Sequence, residues 1–275
     1  MDKAVEYLRE NGMAKAAKKA GRIAAEGIVK VVTEGSKAAI VEVNSETDFV
    51  AKNADFNAYV EEVAQQALNT KASDIDGFLA ESWNKDSSKT VADVLAGQIA
   101  VIGENLKIRR FAQIEENNGF IASYIHMGGK IGVLVDVETD VVNPAIEEMA
   151  KNVAMQAAAL KPMYTNRSEV DPEYIAKETE IITITAKNEK PDANDKIIEG
   201  MVKGRLNKEL KEICLLDQTY VKAEDGKQSV SAYVASVAKE NSANITIKGF
   251  VRFETGEGLE KKNEDFAAEV AAQLQ

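Results

Sequence analysis

Thiols and imidazoles are almost missing from this chain of 275 residues, which holds one cysteine, Cys214, and one histidine, His126. A single thiol excludes an internal disulfide and any thiolate metal cluster, and leaves Cys214 expected as a buried, inert side chain. A single imidazole excludes multi-histidine zinc sites and forces any Ser-His-Asp hydrolase through His126. Long apolar runs are missing too: the longest are about five residues, against the roughly 20 that span a bilayer, and the charged amino end is no secretory signal. Positive charge is in deficit, with 34 Lys and Arg against 45 Asp and Glu and a net charge of −11. Broad contact with nucleic acid or an anionic membrane needs clustered cations, so the net charge argues against both. The one local exception is KAAKKAGR at 15–22. A cytoplasmic protein is expected.

Phosphate cradles are absent as well. Gly129-Lys130 and Gly226-Lys227 lack both the upstream glycine and the following hydroxyl residue of a phosphate-binding loop. Gly256-Glu257-Gly258 is a fragment of a dinucleotide fingerprint that leads into acidic residues, which would repel a pyrophosphate. With 45 acids, no carboxylate pair stands out for acid/base work. A carboxylate magnesium site is left formally open by composition, but nothing marks one. No cofactor and no metal site is assigned.

What is present is the composition of a soluble globular protein, 45% hydrophobic and 29% charged. Its length fits roughly one to three domains. Residues 3–20 have a helical Ala/Lys-rich pattern broken at Asn11-Gly12. GIVKVVTEGSKAAIVEVN at 27–44 predicts a β-hairpin, and a helix follows at about 54–69. Polar clusters make 70–90 loop-rich, with Trp83 as a local packing plug, before Thr90 and Asp93 form a capping-box start to a helix at 91–102. The stretch 106–137 predicts three strands in an antiparallel meander, turning at Asn117-Asn118-Gly119 and Gly128-Gly129. Two charged helical arms separated by Pro191-Asp192 predict an αα-hairpin over 171–212 with a narrow apolar stripe. A helix at 229–239, a strand at 244–254 and a terminal helix at 263–274 complete an α+β chain.

Two stretches echo each other. AAIVEV at 38–43 runs into SETDFVAKN at 45–53, and IGVLVDV at 131–137 runs into VETDVV. Each then enters helical periodicity, Phe56, Val60, Val63, Ala64 and Ala67 in one case and Ile146, Met149, Ala150, Val153 and Ala157 in the other. This reads as a duplicated strand–turn–helix unit. A third, fainter version is VRFETGEG at 251–258. Asp48 after a strand suits a turn or N-cap, and Phe49 beside it suits a core. The alternative is a turn that holds Phe49 outward, where burial in a partner contributes roughly 1.5–3 kcal/mol. His126, at a strand end before two glycines, divides in the same way between structure and function.

Five segments in order, KAAKKAGRIAAEG (15–27), EVNSETDFVAKN (42–53), GENLKIRRF (103–111), HMGGKIGVLV (126–135) and FVRFETGEGLEKKNEDFAAEV (250–270), strongly resemble bacterial elongation factor Ts over nearly the whole chain. The resemblance implies a guanine nucleotide exchange factor for elongation factor Tu, not an enzyme in the bond-making sense, which binds GDP-bound and nucleotide-free partner during translation elongation. The family motif matches Thr47, Asp48, Phe49 and Val50 residue for residue. Its implied role is to wedge Phe49 into the partner beside the magnesium site, with Asp48 making polar contacts there. His126, Met127 and Gly128 match a second family segment, near the partner's phosphate loop. Lys18 and Lys19, and Phe266 and Val270 on the terminal helix, match further partner contacts.

The resemblance also implies an organisation: 1–22 the remnant of an N-terminal helical module and linker, 23–116 one core subdomain, and 117–170 with 213–255 a second, related antiparallel-sheet-plus-helix subdomain. The hairpin at 171–212 is then the family's coiled-coil insertion, and 256–275 its C-terminal module. The family usually opens with a three-helix module, of which this chain matches only the last helix. Some members dimerise through the insertion, so a homodimer through the hairpin is an open expectation. Two readings compete with exchange: a hydrolase built on His126 with a carboxylate, and a scaffold that binds elongation factor Tu without releasing nucleotide.

Overall fold

The structure is a computed structural model that describes residues 12–260. It is α+β, and it divides into two compact units. Among the described residues, the first comprises 12–115, Ile125–Gly132 and 253–260, the second Glu116–Tyr124 and Val133–Arg252.

The first unit begins with a helix over 12–19 (α1). The hairpin β1 (Glu26–Glu34) and β2 (Lys37–Ser45) follows, turning at Gly35, whose φ of 58° suits glycine. Then come α2 (Asp48–Ala51), α3 (Ala54–Leu68) and α4 (Ile75–Ala80). The short strands β3 (Ser82–Trp83) and β4 (Asp86–Thr90) lead to α5 (Val91–Ile102) and β5 (Lys107–Glu115). β2 is the central strand, antiparallel to β1 on one edge and to β5 on the other.

Every residue of β2 from Ala38 to Ser45 is buried. Alternation sends Ala39, Val41 and Val43 into a core with Ile28 and Val32 of β1 and Phe56, Tyr59, Val60, Val63, Ala64 and Ala67 of α3. These α3 positions share one helical face, as their spacing predicts, and each large side chain contributes roughly 1.5–3 kcal/mol by leaving water. The opposite face of β2 carries Ile40 and, fully buried, Glu42 and Asn44.

Glu42 is held by both arginines of β5. Its carboxylate accepts from Arg109 at 3.0 Å and Arg110 at 2.5 Å, and from the Gly256 amide at 2.8 Å. Consecutive strand residues normally point to opposite faces. Here the register slips between Glu42 and Val43, so that Glu42 pairs with Arg110 and Val43 with Ile108, leaving Arg109 as the extra residue. This bulge lets two neighbouring arginines reach one carboxylate.

The structure corrects two expectations. Residues 70–90 are not mainly loop: Asp74 accepts from the Gly77 amide at 2.7 Å and caps α4, which buries Phe78 completely, and β3 and β4 pair behind it. Six residues hold less than two helical turns, too few to show a period. The packing role of Trp83 holds, since it is 5% exposed and tilted against Tyr59. The three strands over 106–137 do not form one meander. β5 completes the first sheet because β2 has a second edge to satisfy, and the next two strands belong to another sheet.

That sheet is formed by β6 (Gly119–His126), β7 (Ile131–Thr139) and β8 (Ile245–Glu254), in the order β6-β7-β8. The second unit adds α6 (Pro144–Leu160), the hairpin α7 (Pro172–Glu189) and α8 (Asp195–Ile213), and α9 (Val230–Glu240). Asn143 caps α6, which buries Ile146, Met149, Ala150, Val153 and Ala157. The hairpin buries little, Ala186 on one arm and Ile198 on the other, while Ile181, Ile184 and Ile197 are about half exposed. Cys214 is fully buried. The terminal helix expected at 263–274 lies outside the described residues.

One acidic cluster in the second unit gives a pH-dependent prediction. Glu116 is buried and accepts from the Asn118 amide and from Lys248, which hold its carboxyl below the usual range. Burial, and then the neighbouring Glu116, push Asp136 of β7 up to about 6. A carboxyl raised in the fold contributes stability at low pH that is lost as pH rises through that value. Asp136→Asn should therefore stabilise the protein at pH 7.5, by about 1 kcal/mol once solvent screening at this half-buried position is counted. The gain should shrink as the pH falls toward 4. Thermal melts of both proteins across that range check it, and a gain independent of pH would contradict it.

Candidate functional site

The chain leaves β2 at Ser45 and makes a tight turn before α2. Ser45 Oγ donates to the Thr47 carbonyl at 3.0 Å, and Thr47 Oγ1 accepts from the Val50 amide at 3.4 Å. Thr47, not Asp48, is thus the N-cap, and Asp48 is the first helical residue. Its carboxylate accepts from Lys52 at 2.6 Å, one helical turn on. That hydrogen bond, with the charges of Lys52 and Lys130, holds the Asp48 carboxyl below its ordinary range.

Phe49 is 81% exposed, which removes it from the core. Val50 packs against the core, and Ala51 is buried. Exposure alone marks nothing, because Val101 on α5 is equally bare. What distinguishes Phe49 is its company. It lines an open cleft of about 610 Å³ with Thr47 and Asp48, with Ile23 and Ile28, and with Met127, Gly128 and Lys130 from the β6–β7 turn. Met127 is 74% exposed, at a positive φ of 48°. The β6–β7 turn is fixed to β1 by the bond from the Val29 amide to the Gly129 carbonyl, at 2.7 Å. Gly129 has φ 101°, and an added Cβ there would stand 3.1 Å from the Val29 carbonyl oxygen. Lys130 pairs with Glu26 beside the cleft.

The structure therefore brings Thr47, Asp48, Phe49, Met127 and Gly128 into one cleft. His126 closes β6 outside its lining, its carbonyl accepting from the Gly129 and Lys130 amides. Lys18 is exposed on α1, and the Lys19 amine donates to the Gly103 carbonyl at the end of α5. Phe266 and Val270 lie outside the described residues.

Residues that sequence reading missed hold the motif in place. The Glu104 carboxylate accepts from the Glu46 amide at 3.0 Å, the Thr47 amide at 3.1 Å and Thr47 Oγ1 at 2.6 Å. In return, Glu46 accepts from the Asn105 amide at 2.6 Å, and Asn105 donates to the Arg22 carbonyl at 2.8 Å. The strand register explains how they meet. Asn44 pairs with Lys107, and three further residues along each chain bring Thr47 opposite Glu104.

The two sequence echoes also differ in detail. In the second copy Thr139, the last residue of β7, donates to the Val141 carbonyl at 3.0 Å, the bond that Ser45 makes in the first. Asp140 accepts from Asn244 at 2.8 and 2.6 Å within its own unit. Thr139-Asp140 and Thr47-Asp48 therefore do not occupy equivalent places.

Among the described residues, no group of three or more His, Cys, Asp or Glu could hold a metal ion, and no helix is long and apolar enough to cross a membrane.

The family model described as Elongation factor TS matches residues 46–257. The chain belongs to the elongation factor Ts family. Relatives named Elongation factor Ts are 52% identical in Clostridioides difficile (strain 630) and 49% in Clostridium botulinum (strain Eklund 17B / Type B). Each match covers 100% of this chain and 89% of the relative. The elongation factor Ts of Clostridium tetani (strain Massachusetts / E88) is 48% identical, over 100% of this chain and 90% of its own length.

Because Phe49 is exposed, Phe49→Ala should change folding stability by less than about 0.5 kcal/mol. Phe56→Ala, in the centre of the core, should cost about 3–5 kcal/mol. Chemical denaturation of both variants measures this, and equal losses would return Phe49 to a packing role.

Proposed function

We propose that the chain is a guanine nucleotide exchange factor for elongation factor Tu in translation elongation, and that it promotes GDP release by unsettling the partner's magnesium site with Phe49 and Asp48. Family membership supports the exchange role. The observation that carries the mechanism is Phe49, 81% exposed on a helical turn whose two ends are tied down. A side chain held out in this way gains its burial free energy from a partner. At roughly 1.5–3 kcal/mol, that gain corresponds to about a tenfold to hundredfold shift in a binding equilibrium.

Exchange by this route needs no nucleotide site on the factor. By linkage, if the factor weakens GDP binding by some ratio, GDP weakens factor binding by the same ratio. Phe49 supplies the wedge. Asp48, ionised and paired with Lys52 at the surface, can trade that lysine for a polar group of the partner. Met127 and Gly128, across the same cleft, offer a second contact. The partner is engaged in its GDP-bound and nucleotide-free states, in the cytoplasm, without direct contact to nucleic acid or membrane; the net charge of −11 supports the last two points.

Release of a fluorescent GDP analogue from elongation factor Tu, with and without the chain, tests the proposal. The chain should accelerate release, and Phe49→Ala should lower the acceleration by about tenfold or more while leaving the melting temperature unchanged. Binding without acceleration at saturating chain would leave a scaffold in place of an exchange factor.

A further inference from the structure

Phe49 can act as a wedge only if its helical turn holds still, although the side chain itself has little to lean on. Four residues of helix are far too few to persist alone. Downstream, the turn is anchored by Val50 and Ala51. Upstream, Glu46 and Thr47 must be fixed by something else.

From this geometry we infer that Glu104 is a positioning residue for nucleotide exchange, which sets the direction in which Phe49 leaves the surface. The inference rests on the exchange reading and names the group that makes the wedge stiff. Three donors converge on the Glu104 carboxylate: the amides of Glu46 and Thr47 and the Thr47 hydroxyl. An ionised carboxylate suits them because it accepts at every lone pair and carries no hydrogen of its own. Thr47 then caps α2, so the bonds that fix its backbone also fix the first turn of the helix that carries Phe49.

Glu104 is itself well founded. It follows Gly103, the left-handed C-cap of α5, whose carbonyl takes the Lys19 amine. The next residue, Asn105, returns a bond to Glu46 and holds the Arg22 carbonyl. The line of support runs from the end of α5 through Glu104 to Thr47 and out to Phe49.

Glu104→Gln places an amide NH₂ among three donors and should loosen the turn. In the GDP-release assay, the maximal rate should fall by about tenfold or more, the worth of one charge-assisted bond. The concentration giving half that rate should move by less than about threefold, because the rest of the docking surface is untouched. In a Phe49→Ala background, Glu104→Gln should cost nothing further, since its effect passes through Phe49. Glu104→Asp, which keeps the charge, should recover part of the rate.

A folded Glu104→Gln with the wild-type maximal rate overturns the inference, as does the same fold-loss in the Phe49→Ala background. Absence of a cooperative melt in both the Gln and Asp variants also overturns it, making Glu104 a folding residue. Failure of the unaltered chain to accelerate GDP release from elongation factor Tu is a different result, which removes the exchange reading and this inference with it.

Discussion

Glu42 lies in the middle of a strand buried on both faces, where a carboxylate persists only with partners that offset its loss of water. Arg109 and Arg110 supply them, and the bulge that lets both arrive fixes how β5 lies along β2. Removing one partner of such a pair costs about 3–5 kcal/mol, so a slipped register is heavily penalised. The register continues past the ends of the strands and brings Glu104 to Thr47. A buried charge thereby determines where a surface phenylalanine stands.

The fold gains little from that phenylalanine. The core closes with Val50 and Ala51 beneath the turn, and Phe49 and Met127 remain outside among the most exposed large apolar residues described. Two such side chains on one cleft, with Glu26, Glu46, Asp48, Lys52 and Lys130 around them, combine apolar contact at the centre with charge at the rim. Under the proposed function, that is the surface that meets the partner. Under the exchange reading, the unsatisfied apolar area is the source of the free energy that competes with nucleotide, and rigidity keeps that energy from being lost to ordering the turn.

Much of the fold could be read from the chain, because most elements are long and strongly periodic. The hairpin of β1 and β2, the helices α3, α5 and α6, and the arms α7 and α8 stand close to where pattern and caps put them. Pattern failed where elements are short, as with α4, and where the choice was between sheets, since β5 and β6 have similar strand character and only pairing separates them. At the candidate site, the motif was marked by resemblance, and its local geometry, with Thr47 as cap and Val50 turned inward, was not. Composition alone favours Phe49 in a core, the resemblance turns it outward, and the structure agrees with the second reading, with Val50 and Ala51 filling the space beneath it. Glu104 was hidden because hydrogen bonds between distant loops leave no local signal, and the register that implies it depends on the pairing of β5 with β2.

The comparison of the two echoes shows why an exposed aromatic could arise in one and not the other. In both, a hydroxyl at the strand end bonds to the carbonyl two residues on, at Ser45 and at Thr139. In both, an asparagine caps the following helix, Asn53 for α3 and Asn143 for α6. The cap lies eight positions after the hydroxyl in the first copy and four in the second, and the difference equals the length of α2, Asp48–Ala51. Phe49 is therefore not a larger side chain at the position of Val141. It stands on four residues that the second copy lacks. Val141 belongs to a direct strand-to-helix connection whose length leaves it half-buried, whereas the extra turn carries Phe49 clear of the sheet while Glu104 ties its base. Freed from packing, that position can be shaped by a partner without cost to the core beneath it.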